Sequence, residues 1–229
     1  MRDRLADCGF SGTVPVFPLP ETVFFPDTVL SLHVFEPRYC AMVETARRGD
    51  RMIAVATLLP GWEKDYEGAP PFHPLATVGY MSKVRPLEGG RFDILLNGLE
   101  RVALEEEFAS LPYRTARART VPEKPLPVDD PELDEAIRRL FLVFEYERRL
   151  HQAESWILLP DGDPTRREIG INTICQSVHV PAFQRLRALE AAGPAERVPM
   201  ARAWLSEGLD GALAARRLPR LKLDEGEAN

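Results

Sequence analysis

The stretch that determines the fold is Val14-Pro15-Val16-Phe17-Pro18-Leu19, followed by Val23-Phe24-Phe25-Pro26 and by His33-Val34-Phe35-Glu36-Pro37-Arg38-Tyr39. The prolines exclude a helix over its first part, because each lacks an N–H group and restricts the preceding residue to extended geometry. These four prolines are Pro15, Pro18, Pro20 and Pro26. The apolar residues between them are therefore predicted to form extended, half-buried segments.

A strand and a helix are predicted directly after the prolines. Residues 29–35 are rich in β-branched and aromatic side chains, which favours a strand. Pro37 suits the first turn of a helix, where its missing N–H has no intrahelical partner. We expect this helix to run through Arg48 and to end at Gly49. Its predicted apolar stripe, at helical spacing, is Tyr39, Met42, Val43 and Ala46.

The rest of the first half also has the pattern of strands. Strands are predicted over residues 52–59, 77–84, 92–97, 101–106 and 113–121, with a long loop rich in Gly and Pro over 60–74. The Gly89-Gly90 pair favours a hairpin turn, because such turns require positive φ. Asn97-Gly98 is interpreted as a second turn, separating two short strands.

A proline-rich break divides the chain, and the apolar period becomes helical beyond it. The sequence predicts a β-rich unit over 1–121, a linker over 122–130, a helical unit over 131–223 and a disordered tail over 224–229. The first helix begins at Pro131, capped by Asp129 or Asp130. Its apolar face comprises Leu133, Ile137, Leu140, Phe141 and Phe144. Shorter helices are predicted over 168–178, 181–192 and 195–205.

Composition and charge restrict the class of protein. A hydrophobic content of 45%, a charged content of 28% and a net charge of −6 are typical of a globular chain with no general attraction to nucleic acid. No apolar run reaches the ~18 residues of a membrane span, and residues 1–9 lack a signal-peptide pattern. We therefore expect a cytoplasmic protein without membrane contacts. Cys8, Cys40 and Cys175 are too scattered for a disulfide framework and are expected to be free thiols.

No motif in the sequence indicates catalysis. The chain has no G-x-x-x-x-G-K-[ST] phosphate loop, no G-x-S-x-G elbow and no H-E-x-x-H pair. Ser82 and Lys83 are adjacent on a predicted strand, so their side chains point to opposite faces and cannot form a nucleophile–base pair. None of the four histidines has a ligand-spaced partner. We expect neither a metal, nor a cofactor, nor enzymatic activity.

Several segments resemble one protein family. Besides the opening stretch, these are Gly79-Tyr80-Met81-Ser82, Leu95-Leu96-Asn97-Gly98-Leu99-Glu100-Arg101-Val102 and, more loosely, Ile171-Asn172-Thr173-Ile174. The chain resembles the LON domain, the N-terminal substrate-recognition part of Lon-type ATP-dependent proteases. The resemblance implies an α+β fold in which a PUA-like β pseudo-barrel is followed by a helical subdomain. It also implies a non-enzymatic module that binds unfolded or client protein segments, with a protease or chaperone acting in trans.

The resemblance assigns structural roles to four charged residues. It implies that Glu36 and Arg38, together with Glu100 and Arg101, form buried or half-buried ion pairs that hold the first helix on the barrel. Pairs of this kind more often fix geometry than perform chemistry.

Two candidate binding surfaces remain. The first is the long loop after the third strand, which carries Leu58, Leu59, Trp62, Tyr66 and Phe72. These side chains form either an exposed apolar patch that binds clients or a lid that folds back on the barrel.

The second surface is the strand face with Arg117 and Arg119, where Lon domains tend to be acidic. It is either a solvated sheet face or, in an alternative reading supported by the basic residues at 216–222, a site for RNA or a nucleotide. The net charge of −6 makes nucleic acid the less favoured partner.

Overall fold

The computed structural model describes residues 4–66, 68–108, 112–150 and 163–217, which form an α+β fold. The β-rich part contains α1 (Arg4–Asp7), β1 (Thr13–Leu19), β2 (Val29–Val34), α2 (Pro37–Ala46), β3 (Met52–Thr57), β4 (Leu75–Pro86), β5 (Phe92–Phe108) and β6 (Arg114–Thr120). The helical half contains α3 (Pro131–Leu150), α4 (Pro164–Ser177), α5 (Ala182–Glu190) and α6 (Pro194–Arg217). Within these described ranges, no helix combines the length and apolarity that a membrane crossing requires.

The strands form a closed barrel. Their order is β2-β5-β4-β3-β1-β6, and β5 also pairs with β6, so that β1, β3, β4, β5 and β6 complete a ring. β2 lies outside the ring, beside the first half of β5. The predicted α+β class, with a barrel followed by helices, is confirmed.

The predicted turn at Asn97-Gly98 is wrong, because β5 continues through it as a single strand. A glycine is needed at position 98 because the Phe25 backbone lies very close to β5 there, not because the chain turns. Its N–H donates to the Thr28 carbonyl (2.9 Å) and its carbonyl accepts from the Asp27 N–H (3.0 Å). A Cβ at Gly98 would lie 2.3 Å from the Phe25 carbonyl oxygen. β5 therefore pairs with β2 before Gly98 and with β6 after it.

β1 accommodates two prolines because each half of the strand has one partner. Residues 13–16 pair with β6, where Pro15 is opposite Thr115, and residues 16–19 pair with β3, where Pro18 is opposite Ala56. A proline nitrogen can then face the side that makes no ladder hydrogen bond. The extended geometry predicted for this stretch is confirmed.

The helix predicted after the prolines begins at Pro37 and ends at Ala46, two residues before the predicted end. Its predicted apolar stripe is buried. This stripe packs with side chains from β1, β2, β3 and the first half of β5. A separate apolar cluster draws on all the ring strands and fills the barrel with mostly small side chains, among them Val14, Ala54, Ala76, Val78, Val102 and Ala116.

The helical half has its own apolar core, and α3 supplies the face predicted for it. The core includes Ile137, Leu140, Phe141, Phe144, Ile171, Ile174, Leu186, Leu189, Ala201 and Trp204. The helix boundaries differ from prediction: α4 begins earlier, at Pro164, with Asp163 as its N-cap. α6 continues to Arg217, well past the predicted end at 205, and contains Pro199. The predicted tail at 224–229 lies outside the described residues.

The segment between β1 and β2 joins the two cores. Val23 and Phe25 belong to the apolar core of the helical half, whereas Phe24 between them belongs to the cluster under α2. All three are almost completely buried, not half-buried as predicted. Alternation along an extended chain sends successive side chains to opposite sides, which explains the division.

Candidate functional site

The first candidate surface is the loop over residues 58–72, and it is closed at its base. Leu58 and Phe72 form an isolated antiparallel bridge. The Leu58 N–H donates to the Leu19 carbonyl (3.0 Å), and the Leu59 N–H donates to the Pro71 carbonyl (2.9 Å). The two ends of the loop are therefore fixed to each other and to the end of β1.

The Glu36–Arg38 pair holds the middle of this loop. Arg38 lies 3.0 Å from the Glu36 carboxylate and donates to the Tyr66 carbonyl (3.1 Å), and the Tyr66 hydroxyl donates to Glu36. Burial and the hydrogen bond to Glu36 raise the pKa of Tyr66, so that it remains a donor at neutral pH. The pair is half-buried, with about a fifth of each side chain exposed, at 19% and 22%.

The apolar side chains of the loop are neither fully exposed nor fully buried. Leu59, Trp62, Tyr66 and Phe72 are all half-buried, and Leu58 is buried. The rings of Trp62 and Tyr66 meet edge to face, with centroids 5.4 Å apart. Phe72 packs on the barrel core under the Arg114 guanidinium, which lies 4.1 Å from the ring centroid. The loop thus folds back on the barrel while each of these four side chains keeps part of its surface accessible.

A small cavity of about 180 Å³ lies between the loop and the barrel. It is lined by Pro18, Arg38, Tyr39, Pro70, Tyr113 and Arg114, together with Gly68, Ala69 and Pro112. Burial raises the pKa of Tyr39 to about 12, so its phenol is neutral. The cavity is smaller than the ~300–1,000 Å³ typical of small-molecule sites. Its volume is of the order of one large side chain.

Removing either member of the Glu36–Arg38 pair is expected to loosen the loop. Arg38→Ala leaves Glu36 without its cation, and Glu36→Ala removes the acceptor of the Tyr66 hydroxyl. Because both groups are half-buried, we expect a loss of about 1–2 kcal/mol in the free energy of unfolding, less than for a fully buried pair. Urea unfolding measures the loss, with Arg48→Ala, at an exposed position two residues beyond the end of the same helix, as control. Unchanged stability of both variants would contradict the role given to the pair.

The second candidate surface is exposed in the described structure. Arg117 and Arg119 are exposed, while Ala116 and Ala118 between and beside them face the barrel core. Arg119 forms an ion pair with Glu105 at 2.7 Å. Arg114 on the same strand donates to the Pro70 carbonyl (2.6 Å). The positive charge of this strand is therefore partly neutralised or engaged with the 58–72 loop.

Glu100 and Arg101 do not hold α2, which corrects the expectation for this pair. They are adjacent on β5, so their side chains point to opposite faces. Glu100 accepts from the backbone N–H of Arg4 in α1 (2.8 Å). Arg101 faces the helical half, where it donates to the carbonyls of Leu189, Ala191 (2.7 Å) and Pro122 (3.2 Å).

Arg101 belongs to a cluster that we call the Glu123 cluster, formed by the buried Arg101 and Arg197 and the half-buried Glu123. Glu123 lies 2.8 Å from the Arg101 Nε and also forms an ion pair with Arg197. Arg197 is completely buried and donates to Asn172 (2.5 Å) and to the Ala188 carbonyl (2.8 Å). Burial lowers the pKa of Arg101, and Glu123 opposes that effect. The Glu123 carboxylate therefore forms ion pairs with two buried guanidinium groups at the contact between the barrel and the helices.

The cluster borders a cleft of about 570 Å³ between α1, the barrel and the helical half. Its charged groups are largely engaged with one another. Arg4 forms an ion pair with Asp27, and Glu168 accepts from the Leu126 N–H (2.8 Å). Within the described residues, no group of three or more His, Cys, Asp or Glu side chains could hold a metal ion. Most of the charged groups that line the cleft therefore already have partners within the protein, and we assign the cleft no ligand.

The structural roles of Glu123, Asn172 and Arg197 were not predicted from the sequence. One signal was present, because Arg197 occupies the apolar stripe of α6, four residues before the buried Ala201 and seven before Trp204. A cation in such a stripe requires a buried anion. Nothing in the sequence indicates that Glu123, in the proline-rich segment, is that anion.

Comparison with solved structures identifies the class of domain to which this fold belongs. The N-terminal domain of the Lon protease of the Mycobacterium avium complex superposes with a TM-score of 0.60 at 16% identity, covering 85% of this chain and 98% of that one. The Lon N-terminal domain protein from Xanthomonas campestris gives a TM-score of 0.57 at 18% identity, covering 84% and 98%. At these identities the likeness concerns the fold alone.

The family follows from the sequence itself. Residues 13–207 match the model of the ATP-dependent protease La (LON) substrate-binding domain, and the chain belongs to this family. Lon protease 2 of Myxococcus xanthus is 32% identical over 111 residues, 48% of this chain and 13% of that protein. The Lon protease of Chloroherpeton thalassium is 25% identical over 198 residues, 80% of this chain and 22% of that protein. The chain thus spans about a fifth or less of the length of these relatives.

Proposed function

We propose that this protein recognises unfolded, apolar segments of other proteins and has no catalytic activity of its own. The observation that carries the proposal is the match of residues 13–207 to a family defined as a substrate-binding domain. The relatives that this chain matches are proteases, and we propose that a recognised client is degraded or remodelled by a protease or chaperone. We further propose that this takes place in the cytoplasm.

The 58–72 loop supports the proposal as the contact surface. Its four half-buried apolar side chains are held by hydrogen bonds at the base and the middle, so binding a client requires little additional ordering of the loop. Aromatic anchors concentrate binding energy at protein interfaces. We assign client contact to Leu59, Trp62, Tyr66 and Phe72, and Trp62 is the clearest test because the Tyr66 hydroxyl also stabilises the loop.

Trp62→Ser is expected to weaken client binding about tenfold or more, the effect typical of removing an aromatic anchor. The probe is fluorescein-labelled α-lactalbumin that has been reduced and carboxymethylated to keep it unfolded, and fluorescence anisotropy measures its affinity. Glu63→Ser, at the adjacent exposed position, is the matched control and should bind as the unaltered protein does. A much lower melting temperature of the Trp62 variant would mean that this side chain belongs to the core.

RNA binding through Arg117 and Arg119 is the less supported alternative, because Arg119 is already paired with Glu105. The same anisotropy assay with a labelled single-stranded RNA separates the two functions. Binding of RNA that Arg117→Ala and Arg119→Ala abolish, without binding of unfolded protein, would replace the proposed function.

A further inference from the structure

β2 has one edge that carries unpaired backbone groups. In the described part of the chain, β2 pairs with β5 alone. The Gly98 N–H donates to the Thr28 carbonyl, so that carbonyl faces β5, and successive carbonyls of an antiparallel strand alternate in direction. The next carbonyl, of Val29, must face away, and it accepts from Gln176 Nε2 at 3.0 Å. The alternation therefore continues with Ser31 and His33 facing outward.

Ser31 and His33 have backbone donors and acceptors that are free to form hydrogen bonds with another strand. Both N–H groups and both carbonyls point away from β5, and both residues are exposed. Among the described residues, no backbone or side-chain group forms a hydrogen bond with these four backbone groups. An edge of this kind can accept an extended chain from another molecule.

A second open edge in the same sheet carries residues that prevent strand addition, whereas the β2 edge does not. Beyond Met81, β4 pairs only with β5 in the described ranges, and its residues there include Lys83, Arg85 and Pro86. Charged side chains and proline are the usual means of preventing strand addition at an edge. β2 contains no lysine, arginine or proline.

Apolar side chains flank the β2 edge instead. Val29 is 55% exposed at one end of the strand, and Phe35, directly after it, is 62% exposed. The Phe35 ring stacks with that of His33, with centroids 6.1 Å apart. The next residue, Glu36, accepts from Tyr66, so the edge ends beside the 58–72 loop.

We propose that an extended apolar segment of a client protein binds by adding a strand to the free edge of β2. Hydrogen bonds to Ser31 and His33 hold the client backbone, and Val29 and Phe35 contact apolar side chains on one face of the added strand. Residues of a strand alternate between two faces, so the preferred client has apolar residues at every second position. This inference rests on the proposed function and names the mode of recognition.

Ser31→Pro tests the inference, because it removes an outward N–H group without removing a hydrogen bond to β5. Edge strands accept proline where the nitrogen faces solvent. We expect affinity for the unfolded α-lactalbumin probe to fall about tenfold or more, since backbone hydrogen bonds are lost along the added strand. Ser31→Ala keeps the N–H group and is the matched control, expected to bind with unchanged affinity.

Amide hydrogen exchange of the unaltered protein gives a second measurement that does not depend on a variant folding. Saturation with the probe should slow exchange at Ser31 and His33 and leave exchange at Lys83 unchanged.

Each outcome has a distinct meaning. If the probe binds, but Ser31→Pro binds as well and exchange at Ser31 and His33 does not change, strand addition is wrong while the proposed function stands. If the unaltered protein does not bind the probe at all, both fail. If sedimentation reveals a dimer that Ser31→Pro dissociates, the edge pairs with a second copy of this chain, and the client proposal is overturned.

Discussion

Glu123→Ala is expected to lower the free energy of unfolding by about 3–5 kcal/mol, the cost of leaving a buried charge without its partner. The loss is expected at the upper end of this range, because Glu123 is the partner of both Arg101 and Arg197. Arg197 is completely buried and Arg101 nearly so, and each guanidinium group would stay buried while losing its ion pair with Glu123. The melting temperature should fall by roughly 10 °C or more.

Circular dichroism during thermal and urea unfolding measures this effect. Glu123→Gln keeps the shape and the acceptor oxygen but not the charge, and is expected to have an intermediate stability. Glu207→Ala, at an exposed position of α6, is the control and should change stability little. If Glu123→Ala were as stable as the control, the cluster would contribute nothing to the contact between barrel and helices.

Gly98→Ala is the second substitution with a large expected effect, a loss of about 3 kcal/mol. The added Cβ would lie 2.3 Å from the Phe25 carbonyl oxygen and 3.2 Å from its carbon. Backbone atoms cannot move aside as the end of a side chain can. The hydrogen bonds from the Asp27 N–H to the Gly98 carbonyl and from the Gly98 N–H to the Thr28 carbonyl hold the two segments together, so relieving the clash breaks them.

Gly49→Ala is the matched control for this substitution. Its Cβ would be 3.8 Å from the nearest neighbour, the Ala46 carbonyl oxygen, which is an ordinary contact. Stability should be unchanged or slightly higher, since alanine restricts the unfolded chain more than glycine does. Equal stability of the two alanine variants would show that β5 can move away from Phe25 at no cost.

Local chemistry was sufficient to predict the elements whose signals lie in neighbouring residues. The prolines around β1, the start of α2 at Pro37 and the apolar face of α3 are cases of this kind. Each depends on a missing N–H group or on a repeat of buried positions, which are properties of the segment itself.

Features that depend on distant partners were predicted wrongly or missed. Asn97-Gly98 has the composition of a turn, but the packing of Phe25 against Gly98 determines that β5 continues. Arg101 was expected to hold α2, yet two of its partners, the carbonyls of Leu189 and Ala191, lie in the helical half, about 90 residues away along the chain. Its other partners, Pro122 and Glu123, lie in the proline-rich segment. A sequence pattern does not indicate which remote carbonyl or carboxylate will approach a side chain.

Amino-acid composition identified the 58–72 loop as a candidate binding surface. It could not decide whether the apolar side chains of the loop form an exposed patch or fold back on the barrel as a lid. Hydrogen bonds from Arg38 and Tyr66 determine how much of the loop stays accessible, and they depend on the position of α2. The free edge of β2 was also not predicted. An edge is a property of the strand order, which becomes known only when the barrel closes.

The alternating segment at Val23, Phe24 and Phe25 has a consequence for synthesis on the ribosome. The Phe25 N–H donates to the side chain of Gln176, 151 positions later in the chain. At the ~5–20 residues per second of translation, Phe25 emerges roughly 8–30 s before Gln176. A nascent barrel would display Val23 and Phe25 during this interval, and a chaperone that covers them would act before the chain is complete.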